Sequence, residues 1–325
     1  MTVDTSMSEI APARRWRKLP GSAAPHRGRQ GPWLAAAAGN IVVSILILLG
    51  ICITVAPFLL SLYLALLPYT ASILPYRLNP AEWTHANFVA AWTTAHVAEY
   101  GLNSLFYAVT NALLTTLLAT TAGYVFERMH FPFKNGLWYL ILAGMMVPGM
   151  VTLAPRLALM IHFPLVGGNN ILGVGGKGFY DSWLGVILPS IVSPTSTFLM
   201  RQFFQSLPNE LEDAARVDGS SEIGIFVRIM LPLATPGVVT TFMLQFQGAW
   251  NELLWPQMIT VSQSMRTLAV GLTYLSQVIG YGASAAGIPM NYAQAGAIMM
   301  ALPIIVLFIV GQRWFVRGIA LTGLK

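Results

Sequence analysis

Residues 201–234 read RQFFQSLPNELEDAARVDGSSEIGIFVRIMLPLA. This charged stretch, with Glu210, Glu212, Asp213, Asp218 and Glu222, lies between two long apolar runs. Pro208 suits the first position of a helix, which would set Glu210 and Glu212 at the positive end of its dipole. Glu212 and Arg216 are four residues apart and can pair. Leu211, Ala214 and Ala215 form a small apolar stripe. Gly219 permits the left-handed conformation that ends a helix. Ser220 or Ser221 can cap a second helix with Glu222 in its opening turn. Ile223, Phe226, Val227 and Met230 follow at helical spacing, and Pro232 separates this helix from the next apolar run. The expectation is two short helices with a sharp bend. Two alanines beside the bend let another surface come close, and acids on the exposed face suit a basic partner. An amphipathic connector resting on a membrane is the plainer reading of the same residues.

On either side the chain is strongly apolar. Of its 325 residues 55% are hydrophobic and only 9% charged, against about 25% charged in a soluble domain. Such a chain needs lipid as its solvent. Six apolar segments run from about Ile41 to Leu67, Leu102 to Phe126, Leu137 to Ile161, Trp183 to Met200, Thr235 to Ile259 and Ala293 to Val310. Each approaches or exceeds the roughly 20 residues that cross a bilayer. Helices satisfy their own backbone groups in lipid, so the fold class expected is an all-α integral membrane protein with six transmembrane helices. The first is long enough to tilt or project, and Pro57 predicts a kink in it. It is about twice the length of a signal core and reads as an uncleaved span.

The basic residues orient the bundle. With both termini cytoplasmic, 14 of the 18 Lys and Arg side chains fall inside, as the positive-inside rule requires. The expected divisions are a disordered basic tail over 1–38, a first span over 39–68, an outer loop over 69–100, a core with five further spans over 101–315 and a cytoplasmic tail over 316–325. Trp83, Trp92 and Tyr100 suit a membrane interface. Residues 162–182 and 260–292 read as further outer loops. The net charge of +6 is spread around apolar runs, so a nucleic-acid partner is not expected. One cysteine, Cys52, excludes an internal disulfide. The five histidines lack ligand spacing, so no metal site is expected.

With these residues in view, the inner loop resembles the EAA motif of binding-protein-dependent ABC importers. Asp213-Ala214-Ala215, three residues, Gly219, nine residues and Ile229-Met230-Leu231-Pro232 match its spacing, with Asp213 in place of glutamate. The resemblance covers roughly residues 83–325 and is closest to the MalG-like permeases of carbohydrate uptake. It is carried also by Asn103-Ser104, Pro148, Phe246 through Trp250-Asn251-Glu252 to Pro256, Arg266-Thr267-Leu268 with Gly271-Leu272, and the tail Arg317 to Lys325. It implies a type I ABC importer permease fold in a bacterial or archaeal inner membrane. The partners implied are a MalF-like second permease, an ATPase dimer, an extracytoplasmic solute-binding protein and a sugar solute. ATP and magnesium would sit on the ATPase, so this chain would be no enzyme and bind no cofactor. Residues 206–234 would be the coupling helices, with Glu212, Asp213, Ala214, Ala215, Gly219, Ile229, Leu231 and Pro232 meeting the ATPase. Thr322, Gly323 and Lys325 would reach the ATPases from the tail. Tyr281, Gly282, Ala283 and Ser284 would enter the binding protein's cleft, an ordinary connector being the alternative.

Other candidates rest on residue chemistry. Glu252 is costly at membrane depth and is a functional candidate by default. With Gln245, Gln247, Trp250 and Asn251 it offers surfaces suited to sugar hydroxyls along a translocation path. Equally, Glu252 could reach interfacial water with Trp250 as a belt residue. The glycines at 167, 168, 175, 176 and 178 approximate a phosphate loop. Ile171 stands where its first glycine belongs and Gly178 follows Lys177, so a flexible loop reads better. The rival classes are a peptide or polyamine importer, an ion-driven carrier and a membrane enzyme. The carrier would need intramembrane carboxylates or paired broken helices, and little beyond Glu252 suggests them. The enzyme would need a catalytic cluster, and none is found.

Overall fold

The computed structural model describes residues 31–68, 80–280 and 290–322, and every regular element among them is helical. The chain divides into two units, Met1–Val55 and Ala56–Lys325. The first holds most of α1, Gly31–Leu66, which continues helically through Pro57. Its side chains from Asn40 to Val55 are exposed, as a lipid-facing surface requires.

The second unit is organised by α3, Val97–Arg128. Before it come a single turn at Pro80–Glu82 and α2, Ala86–Thr93. After it come α4, Lys134–Met146, and α5, Gly149–Ile161. A short α6, Trp183–Ile187, tightens at Leu188–Ser190 before α7, Pro194–Gln205. The inner loop follows as α8, Glu210–Val217, and α9, Glu222–Ile225. A wider turn at Phe226–Met230 carries α9 into α10, Leu231–Leu233. Then come α11, Thr235–Asn251, α12, Leu254–Ile259, α13, Leu268–Gly280, and α14, Met290–Thr322.

Three described helices are long and apolar enough to span alone: Asn40–Leu66, Val97–Arg128 and Asn291–Arg313. Three bent pairs reach that standard together, so length and composition allow up to six spans. The third expected span bends by 107° between α4 and α5. Val147 and Pro148 are extended there, the conformation proline imposes on itself and its predecessor. The fourth bends by 44° before Pro194. The fifth was expected to run unbroken to Ile259 but ends at Asn251, because Pro256 cannot donate to the Glu252 carbonyl and Glu252 turns extended. A 74° bend also separates Glu222–Leu233 from α11. The scarcity of broken helices, used above against an ion-driven carrier, therefore does not hold.

Other expectations change as well. Residues 260–292 contain the helix α13, which buries Leu268, Ala269, Val270 and Leu275. At 13 residues it is too short to read as a span. Trp83 and Trp92 are exposed, but Tyr100 is buried against Gly271.

Small residues let α3 act as a pillar. Ala108, Ala112, Thr115, Thr116 and Ala119 are buried along it, and short side chains bring helices close in a membrane protein. At Gly123 an added Cβ would stand 2.8 Å from the Arg201 nitrogen of α7. The motif positions at Asn103-Ser104 and Arg266-Leu268 clasp one another. Asn103 donates to the carbonyls of Ser264 and Arg266, and the Leu268 N–H donates to Ser104 Oγ at 2.7 Å. Asn87 and Asn291 both donate to the Leu67 carbonyl, closing the end of α1 with buried amides.

Candidate coupling hinge and membrane cavity

At the inner loop, α8 begins at Glu210 with Asn209 as its N-cap, so Pro208 lies outside it rather than at its first position. Glu210, Glu212 and Asp213 occupy the first turn. The bend is a Schellman closure: the Ser220 N–H donates to the Ala215 carbonyl and the Gly219 N–H to that of Arg216. Gly219 adopts φ +80° with open space around it. Ser221 caps α9 by accepting from the Gly224 N–H at 3.2 Å.

The buried face of this hinge differs from the one its spacing suggested. Ile225 and Met230 are fully buried, with Phe226 and Ile229 packed beside them, while Ile223 and Val227 are exposed. The wide turn at Phe226–Met230 rotates the face away from a regular helical stripe. These residues join Ala215 and Ala234 in a cluster with Ala119 and Tyr124 of α3 and Met200, Phe203 and Phe204 of α7. Each fully buried Ile or Met is worth about 1.5–3 kcal/mol against exposure to water. Ala214 and Leu211 remain exposed, so the expected stripe is split between inside and outside.

Charges lock the same joint. Glu212 is only 2% exposed. Its carboxylate meets Arg128 at 3.4 Å and the expected partner Arg216 at 3.2 Å. Arg128 also donates to the carbonyls of Phe204 and Leu207, both at 2.6 Å, tying α3 to the end of α7. Arg216 bonds Asp213 at 3.1 Å and Glu222 at 2.8 Å, bridging both sides of the bend. The Glu222 hydrogen bond holds the Arg216 guanidinium more firmly protonated than usual, and in return Arg216 lowers the Glu222 carboxyl below its ordinary range. Asp213 is the acid turned outward, its side chain 70% exposed. Leu231 is half-buried and Pro232 exposed.

A second polar group lies within the apolar bundle. A cavity of about 320 Å³ is lined by Tyr107, Asn111, Arg156, Ser190, Gln245 and Glu252, among others. Asn111 lies near the middle of the 32-residue α3. Arg156 donates to Ser190 Oγ at 2.6 Å and its guanidinium lies 4.2 Å over the Trp255 ring. Glu252 accepts from the Trp255 N–H at 3.2 Å, and Gln245 donates to Ser196 Oγ at 2.7 Å. Tyr107, Asn111 and Arg156 went unnoticed in the sequence. A charged Arg156 inside the third apolar segment was the signal available.

The sequence candidates around Glu252 are therefore dispersed. Gln245 and Glu252 share the cavity, but Gln247 and Asn251 are exposed and Gln247 lines a separate apolar groove against α14. Trp250 is buried, not a belt residue: its indole donates to the Met300 carbonyl at 3.0 Å. The glycine-rich segment is pinned. Gly167, Gly168, Gly173, Gly175 and Gly178 have positive φ, and Asn169 and Asn170 accept from the amides of Gly176, Leu172 and Val174. Those amides are already occupied within the loop. At its end, Asp181 accepts from Ser262 Oγ and from the amides of Val261 and Ser262, which lower its carboxyl below the ordinary range. Tyr281, Gly282, Ala283, Ser284, Gly323 and Lys325 lie outside the described residues, and α14 runs on to Thr322. Among the described residues no group of acids, histidines or cysteine could hold a metal ion.

Long apolar helices, bent pairs of helices and an acid-bearing hinge are features of a membrane-embedded helical bundle. The chain belongs to the family described as binding-protein-dependent transport system inner membrane component, whose pattern matches residues 115–321. It is similar to the arabinooligosaccharides transport system permease protein AraQ of Halalkalibacterium halodurans, 34% identical over 249 residues, 76% of this chain and 81% of that protein. It is likewise similar to the sn-glycerol-3-phosphate transport system permease protein UgpE of Yersinia enterocolitica, 30% identical over 86% of this chain and 95% of that one. Its fold resembles a chain in the crystal structure of a bacterial ABC transporter involved in import of the acidic polysaccharide alginate. That match has a TM-score of 0.70 at 18% identity and covers 90% of this chain and 100% of the other. The protein is thus a multi-pass membrane component of an ABC transport system, in a family whose members are permease subunits.

Proposed function

We propose that this chain is the MalG-like member of a permease pair that imports a sugar or sugar-like solute into a bacterial or archaeal cell by alternating access. In this reading it has six spans with both termini cytoplasmic. A MalF-like second permease completes the pathway, an external binding protein delivers the solute, and a separate ATPase dimer holds ATP and magnesium. The observation that carries the reading is the hinge. Asp213 is exposed beside Ala214 at a bend closed by Gly219, while Glu212, Ala215, Ile225 and Met230 fasten that bend to α3 and α7. A rigid knob joined to two helices is what transmits displacement from a partner into a bundle. Glu212 acts here as the internal fastener, and Asp213 and Ala214 form the contact surface with Ile229, Leu231 and Pro232 behind them. Thr322, Gly323 and Lys325 extend the contact from the tail, and Tyr281 through Ser284 reach the binding protein.

The similarity to an arabinooligosaccharide permease supports a sugar, and the similarity to a glycerol-phosphate permease marks the nearest other solute class. Broken helices also suit an ion-driven carrier, so nucleotide dependence is the deciding measurement. ATP-driven uptake by vesicles holding the assembled importer should be abolished by Asp213→Arg or Gly219→Pro with the chain still in the membrane. Uptake that ignores ATP and follows an ion gradient would refute the proposal.

A further inference from the structure

We infer that the cavity beside Asn111 is a solute subsite carried by this chain, built for a neutral polyhydroxylated solute. The inference rests on the importer reading above and adds where, and for which chemistry, this subunit touches its cargo. The wall of the cavity holds one guanidinium and one carboxylate, from Arg156 and Glu252. Neither is neutralised by a direct ion pair with the other among the contacts formed. Each is instead held by neighbours: Arg156 by Ser190 and the face of Trp255, and Glu252 by the Trp255 N–H. Charges kept within an apolar bundle are costly, and in membrane proteins they face a water-filled path or a ligand.

Unused hydrogen-bonding capacity lies in the same place. The Asn111 amide nitrogen and the Arg156 Nε are buried without a protein acceptor. The Asn111 residue is 3% exposed, and it lines the cavity. A volume of about 320 Å³ lies within the range of small-molecule sites. The charge balance selects the solute. A phosphate or uronate would be drawn to Arg156 but repelled by Glu252, and an amine would meet the reverse. A hydroxyl both donates and accepts, so a sugar or polyol can give a hydrogen bond to Glu252 and take others from Asn111 and Arg156 without bringing a charge to compensate.

The chain's sole cysteine, Cys52, makes a clean test available. Cys52→Ser combined with Val192→Cys places one thiol on the cavity wall, at a position 72% exposed and so within reach of reagent. The complete importer, with its second permease, ATPase and binding protein, is assembled in vesicles, and maleimide labelling of that thiol is followed on the separated chain. The neutral probes are arabinotriose, maltotriose and glycerol; the anionic probes are glycerol 3-phosphate and trigalacturonate. In excess, at least one neutral probe should slow labelling roughly fivefold or more by occupancy of the site, and the anionic probes should not. Arg156→Gln and Glu252→Gln should each remove the protection, whereas Arg156→Lys, which keeps the charge, should retain it. The solute-free labelling rate of each variant reports whether the wall still forms. Absence of protection by every neutral probe, equal protection by an anionic one, or protection that survives both glutamine substitutions would overturn the inference. Failure of the importer reading has a different signature, uptake by the unaltered chain that needs no ATP.

Discussion

Arg128 and Glu212 meet at the helical hinge, whereas Arg156 and Glu252 share the cavity beside Asn111. The same two residue types serve opposite ends. At the hinge the guanidinium faces a carboxylate and donates to two main-chain carbonyls, and the carboxylate faces two arginines. Arg128 Nε and Glu212 Oε1 face each other at 3.4 Å as an ion pair without a hydrogen bond of their own, and the paired charges fasten α3, α7 and α8 together. In the cavity the two charges are oriented by Ser190 and Trp255 but are not ion-paired, and polar atoms around them stay unmatched. Buried charges that meet each other hold structure in place, and charges that share a cavity without meeting are available to a ligand. Surroundings, not residue type, separate the two.

The sharpest way to break this contrast is Glu212→Ala. It strands Arg128 in a joint where its side chain is 8% exposed, and removing one partner of a buried pair costs about 3–5 kcal/mol. Thermal unfolding of the purified chain in detergent should show a large loss, and a melting point unchanged from the native chain would refute the fastening role of the ion pair. Gly219→Ala comes next. Open space surrounds Gly219, so the cost is conformational, about 1–2 kcal/mol for a left-handed residue, and Gly219→Asn should cost less. Both are read by the same melts.

A smaller effect belongs to Glu222. Arg216 lowers its folded carboxyl below the ordinary 4.5. Its contribution is therefore complete above pH 4.5 and fades as pH falls through the depressed folded value. With both side chains well exposed, solvent screening holds it below about 1 kcal/mol. Acid titration of the native chain against Glu222→Gln should show the two converging at low pH, the native chain being the more stable above it. The smallest stability change is expected from Glu252→Gln, within about 0.5 kcal/mol because no ion pair is broken. A loss as large as that of Glu212→Ala would erase the distinction between the two sites.

Much of the hinge was legible in the sequence. The helix end at Gly219, a serine cap at Ser220 or Ser221 and the pairing of Glu212 with Arg216 follow from local rules acting over three or four residues, and the structure selects Ser221. The buried face of α9 was misassigned because the wide turn at Phe226–Met230 shifts the period on which such a reading relies. The cavity was half visible. Glu252 and Gln245 stood out as polar residues in an apolar run, but Tyr107, Asn111 and Arg156 lie 89 or more residues before Gln245 and reach it only through folding, as the Arg156 contact with Trp255 illustrates.

Composition and spacing by themselves determined that this chain lives in lipid, that it is helical, and that a bent acidic element interrupts its apolar runs. These follow from solvent preference and from short-range backbone geometry, which neighbouring residues carry within themselves. Only the tertiary structure decided which glutamate is buried, where the spans break, and which charges face a cavity. Those depend on what packs alongside, because a charge is fastened or left available by partners contributed from distant parts of the chain.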